Sequence, residues 1–273
     1  MASSVSREAY GEATQQLAAN TVALTAPQLA TVADEILSVA GLLRAQPRLR
    51  RALTDPSRPG NERAGLLKSI LGGKVSEIAV NAVAALAAGR FSRPADLLDA
   101  TERLGVDALL ASADRDGKLP DVEDELFRFG QIVSGDSGLA VTLSDGSAPL
   151  ERRVKLVQDL LKGKVHVATG RLVEMALTGF GGRGFEASLA RLVEATAEKR
   201  DREVAYVTVA KPLTDAEEQA LGAKLATIYG RQVSLKVDVE PAVIGGVSVR
   251  VGSDLYDGTI LRRLNAAKQA FAK

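Results

Sequence analysis

Apolar positions recur every three or four residues up to about residue 200 and every second residue after it. Val5, Tyr10, Ala13 and Leu17 mark one face of a helix over about Ser4–Ala19. Pro27 suits the first turn of a second helix, in which Leu29, Val32, Ile36, Val39 and Leu43 form a stripe at the helical period. Gln46-Pro47 ends it, and a short helix follows around Leu49–Leu53. Asp55-Pro56-Ser57-Arg58-Pro59-Gly60 is turn chemistry, since Pro fixes φ and Asp or Ser bonds the local backbone. A fourth helix over Glu62–Leu71 stops at Gly72-Gly73, where a left-handed residue can close it. A fifth spans about Val75–Ala88 and ends at Gly89. A sixth starts near Arg93-Pro94 and carries Leu97, Leu98, Leu104 and Leu109.

The pattern then returns. Residues 32–93 laid over 122–183, a step of 90 without a gap, share 17 identities in 62 positions. A composition of this kind gives roughly four by chance. The matches include turn residues that two unrelated helical stretches would not share: Asp55 with Asp145, Ser57 with Ser147, Pro59 with Pro149 and Gly73 with Gly163. A duplicated helical bundle is therefore predicted, repeating helices two to six from Leu119 to about Arg200. The second copy lacks a free-standing first helix. The sixth helix of the first copy, running on through Leu109–Ala113, is expected to fill that role and to join the bundles stiffly, because no Gly/Ser-rich or Pro-rich tether separates them.

From Glu203 the period becomes two. Val204, Tyr206, Thr208 and Ala210 alternate as one strand, Val233, Leu235, Val237 and Val239 as a second, and Val247, Val249 and Val251 as a third. Thr214-Asp215-Ala216-Glu217 is a capping box opening a helix that ends at Gly230. Asp257-Gly258 is read as a turn, and Ile260, Leu264, Ala267 and Phe271 line a last helix. The predicted fold is mainly α with a small α+β C-terminal domain. It divides into an N-terminal six-helix bundle (residues 1–112), a second, duplicated bundle (113–202) and a β-α-β-β-α domain (203–273).

Composition removes much conventional chemistry. The 35 basic and 34 acidic side chains leave a net charge of +1, with no general pull toward nucleic acid or acidic lipid. Aromatics are 4% and Trp is absent, so base-stacking platforms are not expected. Without Cys there are no disulfides, thiol nucleophiles or Cys-based metal sites, and the single His166 rules out any site needing two imidazoles. The start, Met1-Ala-Ser-Ser-Val-Ser-Arg-Glu, lacks the basic segment and apolar core of a secretory signal. The most apolar stretch, Ile78–Ala88, is far shorter than the ~20 residues of a membrane span.

Local motifs read mostly as structure. Gly179-Phe180-Gly181-Gly182-Arg183-Gly184 fits GxGxxG in form. A dinucleotide loop needs a strand before it, though, and here a helix precedes, so it is an interhelix loop. His166 aligns with Ser76 at a helix start and reads as a capping or solvated residue. Asp121, Glu123, Asp124 and Glu125 open a helix, where negative charge suits the dipole. Arg48, Arg50 and Arg51 form a basic cluster on a solvated face. No cofactor, metal or catalytic group is expected.

The approach to the third strand is more specific: Glu240, then Val243-Ile244-Gly245-Gly246, the alternating strand, and Asp257-Gly258-Thr259 before an Arg-containing helix. Paired glycines between strands allow a sharp turn or a close backbone approach. With Lys211-Pro212-Leu213-Thr214 upstream, Tyr10 and Ala13 in the first helix, and Asn81, Leu86, Gly89 and Arg90 in the fifth, this pattern resembles the delta subunit family of F-type ATP synthases, the oligomycin-sensitivity-conferring proteins. The resemblance covers about residues 4–112 and 203–273, with Thr259 in place of the usual serine and the bundle of about 113–200 extra.

The resemblance implies a non-catalytic part of the peripheral stalk, or stator, one copy per complex, peripheral on the cytoplasmic face of the cell membrane. It would take an alpha-subunit N-terminal helix in a groove between helices one and five, and the b subunits on the C-terminal domain. Coupling of hydrogen ion transport to ATP synthesis would follow. The implied groove residues are Tyr10, Ala13, Leu17, Asn81 and Leu86; the signature residues are Glu240, Ile244, Gly245, Gly246, Asp257 and Gly258. The many alanines of helix five suit either a closely packed partner helix or the interior of the bundle itself. The second copy has Arg171 for Asn81 and Ala176 for Leu86, so it is expected to act as a spacer or a second contact. A free-standing helical adaptor is the alternative, and an enzyme using the glycine-rich loop a weaker one.

Overall fold

The structure is a computed structural model describing residues 4–200, 202–229, 232–240, 246–251 and 254–257. It divides into two compact units, Met1–Leu192 and Val193–Lys273.

In the first unit each helix is bounded by the turn chemistry that the sequence carries. The first repeat comprises α1 (Ser4–Thr21), α2 (Ala26–Ala45), α3 (Pro47–Leu53), α4 (Gly60–Leu71), α5 (Glu77–Ala88) and α6 (Pro94–Arg115). Thr25 caps α2 in a reciprocal pair with Gln28, and Ser76 caps α5 by accepting the Ala79 N–H at 3.3 Å. Asp55 accepts the Ser57 N–H at 3.0 Å to form the turn before α4. The second repeat has α7 (Leu119–Gly135), α8 (Ser137–Ser144), α9 (Leu150–Leu161), α10 (Val167–Leu177), a 3-10 turn (Phe180–Gly182) and α11 (Phe185–Lys199). Asp145 and the Ser147 N–H repeat the Asx turn at 2.9 Å. Gly73 and Gly163 both sit at positive φ after their helices, 72° and 71°. The boundary between the two compact units falls within α11.

The 90-residue step carries α9 onto α4 residue for residue and places α1 at 94–111, inside the span of α6. One helix thus occupies two places, sixth in the first repeat and first in the second. It lies against α1, α2, α3 and α5, and also against α7, α10 and the 3-10 turn. Its buried residues run from Leu97 through Leu104, Leu109 and Leu110 to Ala113. The expected continuation through Leu109–Ala113 is present. A tight Asp116-Gly117-Lys118 turn follows, with Gly117 at φ 69° and the Lys118 N–H on the Ala113 carbonyl at 2.8 Å. The 112/113 boundary drawn from the sequence falls inside this helix. Burying the shared Leu-rich face is the main favourable term, at roughly 25 cal/mol per Å² of apolar surface.

The second unit holds β1 (Arg202–Val209), α12 (Asp215–Tyr229), β2 (Gln232–Val239), β3 (Val247–Val251) and β4 (Asp254–Asp257). The sheet order is β2-β1-β3-β4, with β1 parallel to β2 and antiparallel to β3, and β3 antiparallel to β4. Val207 pairs with both Val237 and Val249, placing their side chains in one row. That apolar face packs beneath Leu213, Leu221, Leu225 and Tyr229. Thr214 and Glu217 form the expected capping box, at 2.8 and 3.3 Å. β4 is an addition to the predicted order: Asp257, read as a turn residue, ends a fourth strand. The last helix, Ile260–Phe271, lies outside the described residues.

Candidate functional site

The α1–α5 pair is set by a close approach. Gly89 ends α5 against Ala9 of α1, and a methyl group at Gly89 would collide with the Ala9 side chain. The contact turns the expected groove residues in different directions. Ala13, Leu17 and Leu86 are buried in the bundle, as are Ala79, Ala82, Ala84 and Ala87. Tyr10 and Asn81 remain partly exposed. The Tyr10 hydroxyl donates to the Asp107 carboxylate of α6, and the Arg103 guanidinium lies 4.9 Å from its ring centroid. Burial first, then the Asp107 charge, hold the phenol well above its usual pKa, so it stays a neutral donor. The part of α5 left partly open is a strip of Ile78, Asn81 and Ala85, with Ala88 exposed beyond it.

Three polar constructions organise the first unit, two of them in both repeats. At the start of α5, Glu35 of α2 receives the Ser76 hydroxyl; at the start of α10, Glu125 of α7 receives the His166 N–H at 2.9 Å and the Thr169 hydroxyl. His166 is a cap, its Nδ1 accepting the Ala168 N–H at 3.2 Å, with Nε2 3.6 Å from Asp116. Of the acidic group opening α7, Asp121 pairs with Lys118 at 2.9 Å, and Glu123 is buried. At the other end of α5, Arg63 reaches the carbonyls of Ala87, Ala88 and Gly89 at 3.0, 3.0 and 2.7 Å, and those of Asp55 and Arg58 at 3.1 and 2.6 Å. Among the described residues Arg153, its counterpart, reaches the Leu143 and Leu177 carbonyls, at 3.1 and 3.4 Å. Arg50 of the basic cluster ends α2, donating to the Leu43 and Arg44 carbonyls at 2.5 and 3.0 Å.

The third construction joins the repeats. Glu102 of α6, 1% exposed, receives Arg44 of α2 at 2.6 Å and the Gly181 N–H at 2.9 Å. Gly179, Gly181 and Gly182 all have positive φ, and the loop so shaped turns the Gly181 N–H toward an anion, the chain's own Glu102 carboxylate. Desolvation raises the Glu102 pKa against the opposing pull of Gly181 and Arg44. Elsewhere along α2, Asp34 pairs with Arg171 of α10 at 2.6 Å. Neither Glu102 nor the Arg171–Asp34 pair was singled out from sequence as a tie. The available signal was a glutamate inside the Leu97–Leu104–Leu109 stripe, at a position that helical spacing buries.

In the second unit Glu240 leaves β2 exposed, its N–H on the Val209 carbonyl at 2.8 Å. Gly246 has φ 89°, which supplies the physical reason for a glycine at the entry to β3. Ile244, Gly245 and Gly258 lie outside the described residues. On the sheet face opposite α12, Arg250 stacks over Tyr206 at 4.7 Å. The Tyr229 and Tyr256 hydroxyls lie 3.3 Å apart. Among the described residues no helix is long and apolar enough to cross a membrane.

What these features define is a duplicated helical scaffold with one shared helix, followed by a small α+β unit. The family described as ATP synthase delta (OSCP) subunit matches residues 8–104 and 106–271, and the chain belongs to that family. It is similar to ATP synthase subunit delta of Salinispora arenicola, at 58% identity over the whole of both chains, and to that of Salinispora tropica at 55%, again over both in full. The Streptomyces griseus protein of the same name is 44% identical over 98% of this chain and 99% of its own. The second family match begins within α6 and runs unbroken through the second repeat into the C-terminal unit. This corrects the expectation that the resemblance leaves out about 113–200: that bundle lies within the family's pattern too.

Proposed function

We propose that this chain is the non-catalytic delta subunit of an F-type ATP synthase, present once per complex and bound peripherally at the cytoplasmic face of the cell membrane. It acts in the peripheral stalk, joining the catalytic head to the b subunits so that proton-driven rotation is coupled to ATP synthesis. The observation that carries the reading is the full-length match, at 58% identity, to an ATP synthase subunit delta. The first repeat (within 1–112) receives an alpha-subunit N-terminal helix on the α1–α5 surface, where Asn81 with Ile78 and Ala85 supplies the contact. Ala13, Leu17 and Leu86 support that surface from within. The second repeat (113–202) spaces the head from the stalk, and residues 203–273 take the b subunits. Packed apolar faces of this kind suit amphipathic helices.

Affinity capture of the full chain from solubilised membranes, beside a form lacking residues 203–273, tests the reading. The full chain brings down both alpha and b; the shortened one keeps alpha and loses b. Capture of neither by the full chain would favour a free-standing helical adaptor.

A further inference from the structure

The step of 90 allows the open strip on α5 to be compared, residue by residue, with its counterpart on α10. Ile78, Asn81, Ala85 and Ala88 correspond to Ala168, Arg171, Met175 and Thr178. The first three are partly exposed on α5 and Ala88 is exposed. On α10, Ala168 and Met175 are 2% and 7% exposed. The Thr178 hydroxyl is turned back onto the Met175 carbonyl at 2.8 Å. Arg171 is drawn to Asp34 of α2 at 2.6 Å. The glycine loop after α10 is held on α6 by Glu102 and the Gly181 N–H, and α6 and the 3-10 turn both lie against α10.

We propose that the second repeat's counterpart of the α1–α5 surface is closed from within, so that the chain engages one partner helix, on the first repeat. The proposal rests on the partner-helix reading above and gives the structural reason that the second repeat takes no such helix. A helix approaching α10 would meet a guanidinium already neutralised by Asp34, where α5 presents an amide. It would find no open counterpart of Ile78 or Ala85 for its apolar face, because Ala168 and Met175 are already covered. Duplication has kept the bundle, and in the second copy Ala168 and Met175 are buried while Arg171 is tied to Asp34 of α2.

The absence of Cys gives a clean background for the test. Ala85→Cys and Met175→Cys are labelled with a maleimide in the folded full chain, and Ile78→Cys with Ala168→Cys serves as a second pair should one variant fold poorly. The first repeat's cysteine reacts at least about tenfold faster in each pair, since reaction at the buried member waits for local opening. Equal rates within both pairs overturn the closure. A peptide copying the alpha-subunit N-terminal helix then slows labelling at 85 and 78 and leaves 175 and 168 unchanged. Protection at all four overturns the single-site proposal. Protection at none, with the rate difference intact, removes the partner-helix reading and leaves the closure standing.

Discussion

Glu125 holds His166 by its backbone, the carboxylate of α7 accepting the amide N–H that opens α10 at 2.9 Å. Ninety residues earlier Glu35 of α2 receives the Ser76 hydroxyl at the opening of α5. The shared acid thus fixes the same two helices in both repeats, although the capping residue has changed from Ser to His. Glu125→Ala strands the His166 N–H and the Thr169 hydroxyl, and should cost about 1–3 kcal/mol in urea unfolding. His166→Ala loses only the side-chain cap and should cost about 1 kcal/mol. The reverse ranking would mean that the cap, not the clamp, sets the helix start.

Arg63 is 4% exposed and reaches five backbone carbonyls, three of them at the end of α5. Arg63→Ala should lower stability by about 3 kcal/mol or more, and Arg63→Lys should not rescue it, because one ammonium cannot span that fork. Arg153→Ala, with two longer bonds to lose, should cost about 1 kcal/mol. Denaturant midpoints of the three variants check the order.

Glu102 gives a pH dependence of definite sign. Burial raises its folded pKa above the unfolded value. Its relative contribution is therefore fully present below the ordinary carboxyl range and lost as pH rises through the folded value. Glu102→Gln removes that loss, so wild type should fall in stability relative to the variant across this rise, read as paired melting curves at several pH values. Hydrogen exchange at the Gly181 amide should quicken in Glu102→Ala.

Asp55 and Asp145 behave oppositely. The Ser57 and Ser147 hydroxyls, then their backbone N–H groups, hold both carboxyls below the usual range. Their contribution is present above the unfolded pKa and disappears as pH falls through the folded one. Asp55→Asn and Asp145→Asn should each flatten the acid limb of the stability curve, and an unchanged limb in the double variant would contradict the assignment.

Helix ends were legible because Pro47, Gly72-Gly73, Gly89 and the two Asp-x-Ser turns break the helical period on chemical grounds. The shared α6 was legible as an apolar stripe, interrupted before Gly117 only by the isolated Gly105, which a helix tolerates where it packs closely on Leu37. β4 was not: four residues, Asp254–Asp257, are too few for alternation to stand out, and its pairing with β3 comes from tertiary contact. The residues that the resemblance implies for a groove carry no signal of which way they face. Ala13, Leu17 and Leu86 are apolar whether they face a partner or the core, and the folded bundle buries all three. Glu102 was hidden for the opposite reason, since one acid in an apolar stripe names no partner until α2 and the glycine loop are folded against it.

The most direct measurement is ATP-driven proton pumping by the reconstituted synthase with and without this chain. With the chain present, hydrolysis and pumping run together; without it, the head should still hydrolyse ATP while pumping collapses, and adding the chain back should restore it. Pumping that survives removal of the chain, or ATP hydrolysis by the chain alone, would contradict the account.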